Sequence, residues 1–185
     1  MILDDAAFET IPDFAASQFR IKAATEPWER AGAYALRRKV FCAEQRLFDD
    51  DDRDALDERA LLLVAVTTIA GMPDDVVGTV RIDEREPGLW YGSRLAVDRR
   101  YRRVAALGAG LIRLAVTTAH GHGCLRFLAH VQSRNELLFR QLHWTRLGET
   151  ALHGAPHVLM QADLAHYPAS PLVAAGFTAL ARRAA

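Results

Sequence analysis

Apolar positions along the chain change period several times, and each change predicts an element. Phe19-Arg-Ile-Lys-Ala23 alternates apolar with polar, as a half-buried strand does, whereas residues 1–18 show no sustained period and read as an arm. From about Glu26 to Phe41 the period lengthens, and Trp28, Ala33, Leu36 and Val40 are available for one buried helix face. Leu61 to Ile69 and Val76 to Asp83 are β-rich runs, and Ala70-Gly-Met-Pro-Asp-Asp75 between them predicts a hairpin loop. A third run, Leu89 to Val97, passes through the basic turn Asp98 to Arg103 into a helix over about Ala106 to His120. That helix sets Leu107, Leu111, Leu114 and Ala115 on one face and stops at Gly121 and Gly123. Leu125 to Val131 reads as a strand, Asn135 to Leu142 as a short helix, and Trp144 to Glu149 and His157 to Ala162 as closing strands. Beyond Tyr167-Pro168 the Ala-rich run Leu172 to Arg183 predicts a helix appended at the C-terminus, within 169–185. No repeat or linker interrupts 1–185, so one domain of α/β (α+β) class is expected.

Composition narrows the function classes. Lys and Arg number 23, as do Asp and Glu, so nothing marks a polyanion-binding or disordered chain; no nucleic-acid partner is expected. The first residues lack a basic segment followed by an apolar core, and no apolar run is long enough for a bilayer, so no membrane partner and a cytoplasmic location are expected. The two cysteines, Cys42 and Cys124, form neither a disulfide framework nor a metal spacing and read as buried free thiols. His120-Gly-His122 reads as a helix end, because no further ligand spacing accompanies it; no metal is expected. The composition leaves a homodimer open.

Candidate chemistry lies at the turn into the central helix. Arg102 and Arg103 precede Val104, Ala105, Ala106, Leu107, Gly108 and Ala109. Small residues there let backbone N–H groups approach a ligand, and the helix N-terminus with its unsatisfied amides favours a phosphate. The same features also fit a solvated basic turn ahead of a helix start chosen for packing. The acidic stretch Phe48 to Asp57 is a solvated loop or a binding loop for a cationic group; it lacks the central Gly and closing Glu of a calcium loop.

Arg103-Val-Ala-Ala-Leu-Gly108 resembles motif A of the GNAT superfamily of acyl-CoA-dependent N-acyltransferases, Q/R-x-x-G-x-G/A, with Ala106 where the first glycine would stand. Two further blocks resemble the same superfamily: Leu36 to Gln45 with Asp54 and Asp57, and Gln132 to Trp144. Val76 to Asp83, Gly88-Leu-Trp-Tyr-Gly92 and Pro156 to Asp163 look like the bacterial branch named for nitrogen starvation. The resemblance spans about 19–168. It implies a mixed, mostly antiparallel sheet splayed between the fourth and fifth strands, with helices on both faces. It also implies acetyl-CoA, or another acyl-CoA, as co-substrate and a small-molecule amine as acceptor. The backbone of Leu95, Ala96 and Val97 would pair with the pantetheine arm, with Val97 N–H as oxyanion donor. The turn from Arg102 to Ala109 would cradle the pyrophosphate, and Gln132, Asn135 and Phe139 would flank the cofactor.

The resemblance also exposes a gap. Phe139 falls where the family often places a Tyr that protonates the departing thiolate, and Phe cannot donate. His130 is the alternative proton source and Glu44, acting through a water, the expected base. Asp54 and Asp57 would attract the ammonium of the acceptor, while Arg37 and Arg81 fix the loop or bind a carboxylate. Arg37, Phe41, Asp54, Asp57, Arg81 and Ser93-Arg94 also resemble the pattern of acyl-homoserine-lactone synthases, which use S-adenosylmethionine as the amine. Gly92 and a missing tryptophan depart from that pattern. A non-catalytic acyl-CoA sensor is the third reading.

Overall fold

The computed structural model describes residues 16–152, 154–170 and 174–181. Among the described residues, eight strands form one sheet: β1 (Gln18–Ala23), β2 (Leu61–Ile69), β3 (Met72–Glu86), β4 (Leu89–Val97), β5 (Arg126–Gln132), β6 (Trp144–Leu152), β7 (Ala155–Ala162) and β8 (Phe177–Leu180). Their order across the sheet is β6-β7-β5-β4-β3-β2-β1-β8. Pairing is antiparallel except between β4 and β5, which run parallel from Leu89↔Arg126 to Gly92↔Ala129. A parallel pair requires a long crossover, supplied here by α2 (Ala105–Gly121).

The α2 face carrying Leu107, Leu111, Leu114 and Ala115 is buried as its period predicts, against Phe19, Ile21 and other side chains from the strands. On the opposite face α1 (Pro27–Arg37) sets Ala33 against Val64, Val66 and Val76. A Cβ on Gly32 would stand 2.8 Å from a Val76 methyl, so glycine is what lets this helix approach the sheet. The inward stripe runs Glu29, Ala33, Leu36, Arg37 and Val40. Trp28, expected on it, falls about 100° to the side and is exposed. After Arg37 the helix widens into a π-helical segment, Arg38–Glu44. A short helix α3 (Glu136–Gln141) packs on β6, with Phe139 edge-on to Trp144, ring centroids 4.9 Å apart.

Two expectations are corrected. The segment read as a C-terminal helix contains β8, which pairs antiparallel with β1 from Gln18↔Leu180 to Ile21↔Phe177. The unpaired edge of β1 outweighs alanine's helix propensity; Leu172, Val173 and residues 182–185 lie outside the described residues, as do residues 1–15 of the expected arm. The expected six-residue hairpin loop shrinks to Ala70-Gly71, both at positive φ (50° and 81°), between Ile69 and Met72. That two-residue turn matches the strand twist, so β3 zips up through Pro73. Both cysteines are buried and free, and burial pushes the Cys124 thiol up to about 11. Among the described residues, no helix is long and apolar enough to cross a membrane.

Candidate functional site

The β4–β5 pairing ends at Gly92↔Ala129, and the two strands then part. On β5, pairing passes to β7 as far as Gln132↔His157. On β4, a bulge follows: Ser93 opposes Arg81 and Ala96 opposes Thr79, leaving Arg94 and Leu95 against Val80 alone, with Arg94 at φ 55°. Past the bulge, Asp98 N–H donates to Val77 O (2.8 Å) on the β3 side. Successive strand amides point to opposite edges, so Val97 N–H points away from β3, into the opening, while Ala96 pairs with β3. The Val97 carbonyl on that same edge accepts from Arg102 Nε (3.0 Å).

The opening is a cleft of about 920 Å³. Its lining includes Leu95, Ala96, Val97, Arg102, Val104, Ala105, Gly108, Gln132, Asn135 and Phe139 of the expected cofactor residues. Arg103, Ala106, Leu107 and Ala109 do not line it; Leu107 is core, and Arg103 and Ala106 are exposed at the turn. Fewer amides of this turn are open than its sequence suggests. Val104 N–H donates to Tyr101 O, Ala105 N–H to Arg103 O and Leu107 N–H to Val104 O (2.9, 3.1 and 3.0 Å). The Ala106 N–H, exposed in the first turn of α2, has no such carbonyl partner among the described residues. Gln132 Nε2 reaches across to Gln45 Oε1 (2.9 Å), joining β5 to the end of the π-helical segment.

The two faces of the cleft differ in chemistry. On the α1 face Tyr91 and His130 stack, and the Arg85 guanidinium lies 3.8 Å from the Tyr91 ring centroid. Partial burial, then the charges of Arg85 and His157, pushes the His130 imidazole below its ordinary value. That direction suits a proton acceptor better than the proton donor expected for His130. On the α2 face the lining is apolar, with Val80, Ile112, Phe127 and Trp144.

The acidic stretch is built into a buried ion network. Arg37, fully buried, holds Asp57 through both terminal nitrogens (2.6 and 3.0 Å) and Asp52 through Nε (2.8 Å). Arg81 adds Asp57 (2.9 Å), Asp54 (2.6 Å) and Ser93 Oγ (2.9 Å). Arg94 binds Asp52 (2.9 Å) and Asp54 (3.2 Å). Burial alone would raise the Asp57 carboxyl, but hydrogen bonds from Arg37 and the Asp54 amide, with the Arg37 and Arg81 charges, hold it at about 2. Arg37, expected to fix the loop or bind a carboxylate, and Asp57, expected to attract the acceptor's ammonium, spend their hydrogen bonds within this network and stay outside the cleft wall; they pin the loop. Asp54 and Arg81 do line the cleft. Glu44 is ion-paired with Arg102 and does not line it. His143 adopts φ 62° and stacks on His166, ring centroids 3.7 Å apart.

The sequence reasoning missed Tyr91, Arg85 and Asp52. Tyr91 sat within a block noticed only as a likeness, and only the β4–β5 pairing brings it to His130. Asp52 is buried, lines the cleft, and leaves Oδ1 without a partner among the described residues.

Residues 21–143 match the model of the Acetyltransferase (GNAT) family. The chain belongs to the GNAT acetyltransferase family. Members of this family use acyl-CoA as co-substrate. The matched model is that of the GNAT family as a whole and selects no branch. Among solved structures, a putative N-acetyltransferase from Lactobacillus plantarum is similar at 24% identity and a TM-score of 0.68, covering 78% of this chain and 97% of that one. Escherichia coli ElaA follows at 16% and 0.64, covering 78% and 98%. A CoA-dependent acyl-homoserine lactone synthase, BjaI, is similar at 19% and 0.60, covering 80% and 82%. At these identities the likeness is one of fold. A comparison with curated proteins finds no match.

Proposed function

We propose that this GNAT-family protein is an N-acyltransferase that moves the acyl group of a CoA thioester onto the amine of a small molecule, by direct attack and with no covalent enzyme intermediate. The observation that carries this reading is the free β4 edge beside the exposed first turn of α2, in one cleft. Leu95 and Val97 present the unpaired edge to the pantetheine arm, Val97 N–H meets the developing oxyanion, and Arg102, Arg103 and the Ala106 amide face the pyrophosphate. His130, held neutral, accepts the proton of the attacking amine, and the Tyr91 hydroxyl supplies one to the departing thiolate in place of the group that Phe139 lacks. The unpartnered Asp52 Oδ1 gives the acceptor side a buried carboxylate oxygen for a cationic group. Glu44, expected as the base, serves by holding Arg102. Acetyl-CoA, the expected donor, is a small member of its class.

The test is thiol release from acyl-CoA in the presence of mixed amines, alongside thermal stabilisation by CoA. Amine-dependent release supports the enzyme. Stabilisation by CoA without release makes the protein a sensor.

One observation favours a second reading. Of the seven residues that resemble acyl-homoserine-lactone synthases, all but Phe41 (Arg37, Asp54, Asp57, Arg81, Ser93 and Arg94) assemble into the single network described above. Stabilisation by S-adenosylmethionine and not by acetyl-CoA would replace the first reading with this one.

A further inference from the structure

The bulge that frees the β4 edge is built on an unusual residue. Arg94 and Leu95 stand together opposite Val80, and Arg94, the first of the two, has φ 55°. Where the first residue of a bulge is left-handed, glycine is its ordinary occupant. A side chain there crowds its own backbone and disfavours the conformation by roughly tenfold.

A hold on the side chain offsets that bias. Arg94 Nε lies 2.9 Å from Asp52 Oδ2, and Nη2 donates to Asp52 O (2.9 Å) and Asp54 Oδ2 (3.2 Å). The guanidinium carbon stands 4.6 Å from the Phe48 ring centroid. All three partners belong to one stretch, 48–54, which is fixed in turn by Arg37 on Asp52 and Arg81 on Asp54. Arg81 Nε also donates to Ser93 Oγ (2.9 Å), so the same network grips both residues at the head of the bulge. The Arg94 side chain is only 17% exposed, which shelters these contacts from water.

The extra residue decides which amides face the thioester. Side chains alternate along a regular strand, yet Ser93 and Ala96 share a face: Ser93 meets Arg81, and Ala96 packs with Leu36, Val40 and Phe41. With two residues set against Val80, Ala96 pairs with Thr79 and the Val97 N–H turns into the cleft. Straightening the bulge would move the register by one residue and turn that N–H back to β3.

We infer that Arg94 is a positioning residue for the acyl-CoA: anchored to the acidic stretch, its side chain keeps β4 in the left-handed bend that presents Leu95 to Val97 to the thioester. This rests on the proposed use of that edge by an acyl-CoA and adds the residue that sets it. The stretch 48–54, on the acceptor side, thereby shapes the donor's binding edge.

Arg94→Gly and Arg94→Ala remove the same ion pairs and differ in one respect, that glycine adopts a positive φ freely and alanine does not. Dissociation constants for CoA and acetyl-CoA are measured by calorimetry, with melting temperature alongside. Arg94→Ala is expected to bind acetyl-CoA about tenfold more weakly than the unaltered protein, and Arg94→Gly within about threefold of it, although both melt lower. Asp54→Asn, which loosens one anchor, is expected to weaken acetyl-CoA binding by itself and to change nothing further in Arg94→Gly.

A purely structural Arg94 would lower both melting temperatures and leave the two variants with equal affinities. Equal affinities, whether normal or weakened, therefore overturn the positioning role and leave the acyltransferase standing. Should neither variant fold, Asp54→Asn decides: weaker acetyl-CoA binding upholds the role and unchanged binding overturns it. Failure of the unaltered protein to bind CoA or acetyl-CoA overturns the role together with the reading beneath it.

Discussion

Tyr91 of β4 and His130 of β5 lie ring against ring, centroids 6.2 Å apart and planes inclined by 24°, where the two strands cease to pair. Neither residue reaches the other through local sequence; the parallel register Tyr91↔Leu128 sets them side by side. Two proton-carrying groups thereby share the polar face of the cleft.

His130 is expected to titrate below the ordinary imidazole value of about 6.5, because partial burial, Arg85 and His157 all oppose its charged form. Arg85→Gln removes one of those charges and moves the His130 titration upward, followed by NMR of the imidazole C–H. The acid limb of the turnover profile should move the same way, since the neutral ring is the base. An upward shift without a matching change in turnover would remove His130 from the proposed chemistry.

Arg37 neutralises two carboxylates in a dry setting. Arg37→Leu leaves Asp52 and Asp57 buried beside fewer cations and should cost about 3–5 kcal/mol in urea unfolding. Adding Asp57→Asn to that variant should recover part of the loss, because the two residues interact directly. A loss below about 1 kcal/mol would contradict the buried network.

Acid should weaken the fold through Asp57 and Asp98, both held at about 2. At Asp98, burial works upward but is outweighed by hydrogen bonds from Lys39 and from the Arg100 amide and side chain. A carboxyl lowered in the folded state stabilises fully above its unfolded value and loses that contribution as pH falls through the folded one. Melting temperature is therefore expected to drop between about pH 4 and pH 2, and to drop less in Asp57→Asn than in the unaltered protein. Equal slopes in the two would mean that Asp57 is not depressed.

On the donor side, Gly108 borders the cleft, and a Cβ there meets only a Leu138 methyl at 3.9 Å. Gly108→Ala should be accommodated, whereas Gly108→Leu should weaken CoA binding by about tenfold or more with little change in melting temperature. Glu44→Ala, by releasing Arg102, should lower CoA affinity more than turnover at saturating donor. The reverse split would return Glu44 to the role of base.

Local pattern carried much of this molecule. The strict alternation at Phe19 to Ala23, the helical stripe Leu107 to Ala115 and the run Leu89 to Val97 each became the element expected. Motif A located the turn into α2 because small residues after an arginine are legible in one dimension. It did not reveal that Val104, Ala105 and Leu107 amides have carbonyl partners of their own.

Where burial depended on distant partners, local pattern misled. The Ala-rich tail has helix propensity, but a free edge at β1 takes it as a strand, since pairing satisfies backbone groups that propensity does not count. Asp57 reads as a contact for the acceptor's ammonium and Arg37 as either a loop tie or a carboxylate contact, because their pairing exists only once α1 meets the loop beneath it.

The sequence by itself determined the elements from β1 to β7 and the family, because period and motif are properties of neighbouring residues. Only the tertiary structure decided which edge of β4 is free, that Tyr91 meets His130, and that the cleft has a polar face and an apolar one. Those features are set by where strands part, and strand separation is a relation between segments far apart in the chain.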